Sequence, residues 1–349
     1  MNNSSLPKAG ILAIILVATA LISWECYVRN KGFDSSYDDE GALWSDKRAM
    51  VYEPADKATV FIGSSRIKFD LDIDYWERET GSHAIQLACV GSTPIPVLQN
   101  LANDEKFKGK LVVDVTEILF FSDEPPSRQT PDKNLKFYKE RTPAQKASFQ
   151  INHLLESNFV FLDKERLSLN AKLAELQIPN RPGVFEFPLF PDGFGRVKFN
   201  RQEYMTENFI RDTNQQNQVK GVWAFLQKMS KEPPVSGAKL DTIFNAVKLA
   251  VDKIKARGGD VLFVRTPSSG PFLMGENMGY PRAAYFDKLL AITNCKGIHF
   301  NDYPVINHFV CPEFSHLSQP DATIFTKEFI RILHDEKGWA FPKLPSTNK

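Results

Sequence analysis

Hydrophobic and polar positions follow three regimes along this chain. The first is an uncharged run from Ala9 to Trp24, bracketed by Lys8 and Glu25. The second is a set of short apolar stretches: Thr59–Ile62, Ala84–Ala88, Leu111–Val115, Asp260–Val264 and Ile298–Phe300. Their β-branched and aromatic content predicts strands, and the central ones read as buried on both faces. The third is amphipathic and helical in period. Leu240–Ala256 carries Ile243, Phe244, Val247, Val251 and Ile254 on one side and stops at Gly258-Gly259. Ala322–Leu333 does the same with Phe325, Phe329, Ile332 and Leu333. Further helices are predicted from Pro96 to Ala102 and from Tyr285 to Thr293. Strands alternating with helices predict an α/β fold with a parallel sheet and right-handed crossovers.

That rhythm divides the chain. Residues 1–28 form the apolar segment. Sixteen uncharged residues fall short of the roughly 20 a spanning helix wants, and Lys8 on the amino side predicts that end in the cytoplasm. A signal anchor is the leading reading. A cleaved signal peptide competes with it, although Trp24 and Glu25 make a poor cleavage site, and a buried core helix is the third reading. Residues 29–57 are polar and read as a tether. The α/β pattern occupies 58–122 and 236–349. Between them, Pro125-Pro126 opens and Pro233-Pro234 closes a span, 123–235, that breaks the rhythm. It holds predicted helices at Pro143–Leu155 and Asp163–Leu176 and a stretch rich in Phe, Pro and Gly at 180–199. It reads as an insertion over the carboxyl edge of the sheet, where loops carry specificity, or as a plain packing appendage.

Composition narrows the function classes. With 43 Lys and Arg against 42 Asp and Glu the net charge is +1, and no basic stripe with interleaved aromatics is present, so nucleic acid is not an expected partner. No cofactor-binding motif stands out, and none is expected. The four cysteines, Cys26, Cys89, Cys295 and Cys311, are far apart in sequence. Outside the cytoplasm a disulfide is permitted, and Cys295 with Cys311 is the pair to test first.

Candidate chemistry sits at two places. Gly63-Ser64-Ser65-Arg66 follows the first strand, delivering hydroxyls to the carboxyl edge of the sheet, where open α/β folds place ligands. A serine there is also a favoured helix cap. Near the other end, Glu313-Phe314-Ser315-His316 precedes the last helix. Nucleophilic serine needs a base in hydrogen-bond reach and a carboxylate to fix the imidazole tautomer. Ser65, His316 and Glu313 supply the three types, and the i, i+3 spacing lets one turn present acid and base. His308, Cys311, Glu313 and His316 form a rival cluster of ligand types, but their spacing matches no common zinc pattern, so no metal is expected. Arg66 and Arg265 both leave strand ends, where they could bind an anionic or sugar substrate or serve in ion pairs.

Gly63-Ser64-Ser65-Arg66, Ala88-Cys89-Val90-Gly91-Ser92 and Glu313-Phe314-Ser315-His316 come in the order of three blocks of the SGNH (GDSL-like) hydrolases, and the chain resembles that family. The resemblance covers roughly 58–122 and 240–334. It implies a three-layer α/β/α sandwich, a nucleophile at Ser65, and an oxyanion hole from the backbone N–H groups of Ser65 and Gly91. Ser64 replaces the family's acidic residue. The block Gly-x-Asn-Asp is absent, with Lys110-Leu-Val-Val-Asp-Val-Thr-Glu117 in its place, and Glu313 stands where Asp is usual. Such departures are seen in membrane-anchored, envelope-facing branches that act on surface polysaccharides. The expected function is a serine esterase or O-acyltransferase working on acyl groups of a cell-surface polysaccharide, outside the cytoplasm. The alternative is a catalytically silent accessory subunit, whose partner would be a membrane acyltransferase.

Overall fold

The apolar segment is one helix. The structure, a computed structural model, describes residues 5–345 apart from 175, 177–180, 182, 185–186 and 231–232. Helix α1, Ser5–Asn30, is long and apolar enough to cross a membrane. It runs further at both ends than the uncharged stretch, and at its carboxyl end Glu25 and Arg29, one turn apart, pair along it at 2.7 Å. Residues 1–38 and 142–185 form one compact unit, and 39–141 with 186–349 form the other. The span 123–235 therefore does not fold as one insertion. Its middle belongs with α1, and its remainder belongs with the sheet. Within the first unit, the helix Pro143–Glu156 starts with a capping box between Thr142 and Gln145. The expected helix Asp163–Leu176 is broken into Lys164–Leu167 and Leu169–Ala174. Glu175 and part of the stretch 180–199 lie outside the described residues.

In the second unit, residues 39–57 are not a tether. Helix α2, Gly41–Met50, buries Trp44, whose indole N–H donates to the Leu87 carbonyl at 3.0 Å. Strands β1 (Ala58–Ile62), β2 (His83–Gln86), β3 (Lys110–Asp114), β6 (Asp260–Arg265) and β7 (Lys296–His299) make a parallel sheet in the order β2-β1-β3-β6-β7. A two-residue hairpin, β4 (Arg196–Val197) and β5 (Glu203–Tyr204), stands apart from it. Period-2 alternation splits the sheet's side chains into two cores. Val60, Ile62, Leu111, Val113, Val261 and Phe263 face the first, with Trp44 and the helix Gly237–Ala256. Phe61, Val112, Leu262 and Val264 face the second, with the helix Gln319–Asp335. Helices thus flank the sheet.

This order places the site. From β1 the chain steps outward to β2, then returns past β1 to β3. The strand order reverses between β1 and β3, and ligands of open parallel sheets bind outside the carboxyl ends of strands at such a point.

Candidate active site

Strand β1 runs into helix α3, Ser65–Asp70, through Gly63 and Ser64. Gly63 is required by close approach: a Cβ there would lie 2.5 Å from the Asp114 Cβ and 2.8 Å from Ile67 Cγ2. Its backbone is not in the left-handed region. The turn thus hugs the end of β3 and projects the two serines differently. Ser64 occupies the N-cap position but its hydroxyl caps nothing. It meets the Thr116 hydroxyl at 2.7 Å and donates to Asp114 Oδ2 at 3.3 Å, sideways into the neighbouring strand. Ser65 Oγ lies 2.8 Å from His316 Nε2.

The loop carrying His316 is wound tightly. Phe314 has φ 80°, a left-handed backbone that a bulky residue rarely takes. It is held by Ser269 N–H donating to its carbonyl at 2.9 Å and by its ring lying against Gly270, where a Cβ would approach within 2.9 Å. That winding turns Glu313 back onto the residues following it. Glu313 Oε1 accepts the backbone N–H groups of Ser315 at 3.2 Å and His316 at 2.6 Å, and stands 3.0 Å from His316 Nδ1. Glu313 Oε2 accepts the indole N–H of Trp223 at 2.5 Å. Glu313 is fully buried. Burial alone would raise its carboxyl, but the imidazole, the indole and the backbone donors outweigh it and hold the group below the usual carboxylate range. An ionised Glu313 accepts only, so Nδ1 carries the proton and the Nε2 lone pair faces the Ser65 hydroxyl.

Three aromatic rings enclose the imidazole: Phe69 with centroids 4.4 Å apart, Phe194 at 5.7 Å and Trp223 at 6.1 Å. Phe194 and Trp223 come from the span that breaks the α/β rhythm. No sequence motif marks Trp223; the only signal is its place in the span 123–235, one reading of which puts it over the carboxyl edge of the sheet. That segment is fastened to the sheet by Arg201, which bonds Asp39 and the carbonyls of Gln86, at the end of β2, at 2.6 Å and of Ala88 at 3.0 Å.

Gly91 follows β2 with φ 61° in a turn where an added Cβ would meet nothing, so its glycine serves backbone conformation. Cys89 N–H donates to Gly63 O at 3.1 Å, which brings this turn alongside the start of α3. Ser65, first residue of α3, has no intrahelical acceptor for its N–H. At the end of β3 no asparagine is present; Thr116 and Asp114 hold Ser64 instead.

Arg66 and Arg265 do not reach a ligand-facing surface. Both are 1% exposed. Arg66 pairs with Glu276 and donates from Nε to Ser315 Oγ at 3.3 Å. Arg265 pairs with the same carboxylate at 2.5 Å and with Glu117 at 3.1 Å. The substrate-binding reading of these arginines is therefore corrected. They clamp the loops beneath the site. Asp70, at the far end of α3, is also buried and accepts the Leu317 N–H at 2.9 Å. Burial pushes its carboxyl up to about 7, with the Leu317 N–H and His316 pulling against that shift.

The disulfide pair to test first, Cys295 with Cys311, is not formed: all four cysteines are free thiols. Cys295 stands before the amino end of β7 and Cys311 lies beyond its carboxyl end, beside the Pro267 carbonyl, and four intervening strand residues at about 3.3 Å each exceed disulfide reach. Among the described residues no three His, Cys, Asp or Glu side chains gather as metal ligands. His308, the outlying member of the rival cluster, is exposed and bonded to the Pro304 carbonyl.

No family model matches this chain, and no curated protein matches it.

Proposed function

We propose that this protein is an envelope-facing serine esterase or O-acyltransferase with an SGNH-like three-layer α/β/α sandwich, working on acyl groups of a cell-surface polysaccharide. One observation carries the reading: Ser65 Oγ, His316 and Glu313 are linked at 2.8 Å and 3.0 Å, with the tautomer that leaves Nε2 as base. The position of Ser65 at the sheet's switch point and the three SGNH-like blocks support it. The polysaccharide rests on the resemblance, and the outward orientation rests on Lys8 preceding the uncharged run of α1.

The chemistry follows from these contacts. Ser65 Oγ attacks the acyl carbonyl carbon while its proton passes to His316 Nε2. The carbonyl oxygen becomes an oxyanion, received by the backbone N–H groups of Ser65 and Gly91. The tetrahedral adduct collapses, the C–O bond to the leaving alkoxide breaks, and the alkoxide takes the proton from Nε2. An acyl-Ser65 ester remains. Water or an acceptor hydroxyl then loses its proton to Nε2 as it attacks the acyl carbon; the second adduct collapses, the bond to Ser65 Oγ breaks, and Ser65 takes the proton back from Nε2, giving hydrolysis or transfer. Ionised Glu313 stabilises the imidazolium formed in each half.

The test is turnover of an acetylated polysaccharide or a short-chain ester by Glu313 variants. Glu313→Gln should lower kcat by about 10⁴-fold, since an amide favours the wrong tautomer, with the fold retained. Glu313→Asp should lose less, because it remains ionised. No turnover by folded wild type on either substrate would favour the accessory-subunit reading, and equal turnover by wild type and Glu313→Gln would overturn the role given to Glu313.

A further inference from the structure

The unit built on α1 presents an apolar surface that the proposed chemistry does not use. On the helix Pro143–Glu156, Ile151, Leu154 and Leu155 share one face and are 66%, 61% and 51% exposed. After the turn at Val160–Leu162, the short helix Leu169–Ala174 carries two more exposed leucines, Leu169 and Leu173, at 73% and 52%. The opposite side of the longer helix is where it is held: Phe149 meets Tyr37 edge-on, and Glu156 accepts the Tyr37 hydroxyl.

The place of this surface along α1 is fixed by hydrogen bonds. Glu25 accepts the N–H groups of Val160 and Phe161, each at 3.1 Å, and Arg29 donates to the Asn158 carbonyl at 2.9 Å. Glu25 is the first charge after the uncharged run and lies about 25 Å along the helix from Lys8, close to the thickness of a hydrocarbon core. Trp24 and Tyr27, stacked at 5.4 Å and half exposed, sit at that same level. Amphipathic aromatics mark membrane–water boundaries. The segment 143–173 is thus docked on α1 at the depth where headgroups lie.

We infer that this segment is an interfacial platform, with Ile151, Leu154, Leu155, Leu169 and Leu173 inserted among phospholipid headgroups and upper acyl chains. Bilayer lipid is the favoured occupant because the segment is hydrogen-bonded to the end of a helix of membrane-spanning length, at the level of Trp24 and Tyr27. The inference rests on α1 being membrane-embedded, not on the serine chemistry.

The test uses the full-length protein in its native membrane. A benzophenone amino acid replaces one residue at a time: Leu16 within α1, Leu154, Leu169, or Lys146 on the polar side of the helix. After irradiation, phospholipid adducts are read by mass spectrometry. Adducts are expected at Leu16, Leu154 and Leu169, with at least fivefold less at Lys146. Adducts at Leu16 alone would overturn the platform while keeping the anchor. No adduct at Leu16 would overturn the anchor itself. Adducts of Leu154 and Leu169 with another membrane protein, in place of lipid, would overturn the lipid assignment.

Discussion

At the residue scale, Glu313 is the group on which the site turns, because it accepts from four N–H donors at once. The indole of Trp223 is the only one of the four supplied from outside the catalytic loop. A hydrogen bond to a charged group contributes about 1.5–3 kcal/mol. Trp223→Phe keeps a ring against His316 and removes only that donor. It should lower kcat about tenfold or more with KM little changed, and shift the acid limb of the kcat pH profile, because the carboxylate loses one of the interactions holding it ionised. A variant with altered KM and an unmoved pH profile would make Trp223 a wall of the pocket. Ser65, His316 and Glu313 were legible because each sits in a short local motif beside a predictable element. Trp223 was not, since its contact spans 90 positions from a segment without a pattern. Arg66 and Arg265 were misread for a related reason. Sequence shows an arginine after a strand, but not the buried Glu276, on a different helix, that binds both.

At the scale of elements, the strand–turn–helix from β1 to α3 sets the geometry. All five sheet strands and the principal helices were legible from apolar runs and their period. The reason for Gly63 was not, because it depends on how closely β3 approaches. Gly63→Ala drives a methyl into Asp114 and Ile67. Overpacking of this kind costs about 1–3 kcal/mol, and moving the turn also moves Ser65. Thermal denaturation should show a lower Tm together with lower activity. Unchanged Tm would mean that the strand ends yield freely. Residues 39–57 looked like a tether because their charge is high, yet Lys47 and Arg48 are buried with Trp44 in α2; net polarity concealed one apolar stripe.

At the scale of the molecule, buried carboxyls make stability depend on pH. Burial lifts Asp70 from its usual 3.8 to about 7 and Asp114 to about 6. A carboxyl whose folded pKa is raised binds more protons folded than unfolded. Its contribution is full below about pH 4 and is lost as pH rises through the folded value. Asp70→Asn keeps an acceptor for the Leu317 N–H and removes the titration. Its Tm relative to wild type should rise between pH 5 and pH 8; a difference that stays flat, or falls, would show that Asp70 ionises freely in the fold. The membrane-length helix was legible as an apolar run. Its docking with residues 142–185 was not, because Glu25 read as the end of that run and not as a cap for a turn far along the chain.

The central claim is that Ser65, and not its neighbour, is the nucleophile. A fluorophosphonate probe followed by peptide mass spectrometry tests it most directly. Wild type and Ser64→Ala should both carry the adduct on Ser65, with less labelling in Ser64→Ala. Ser65→Ala and His316→Ala should carry none. An adduct on Ser64, or a folded wild-type protein that takes no label at either serine, would contradict the account.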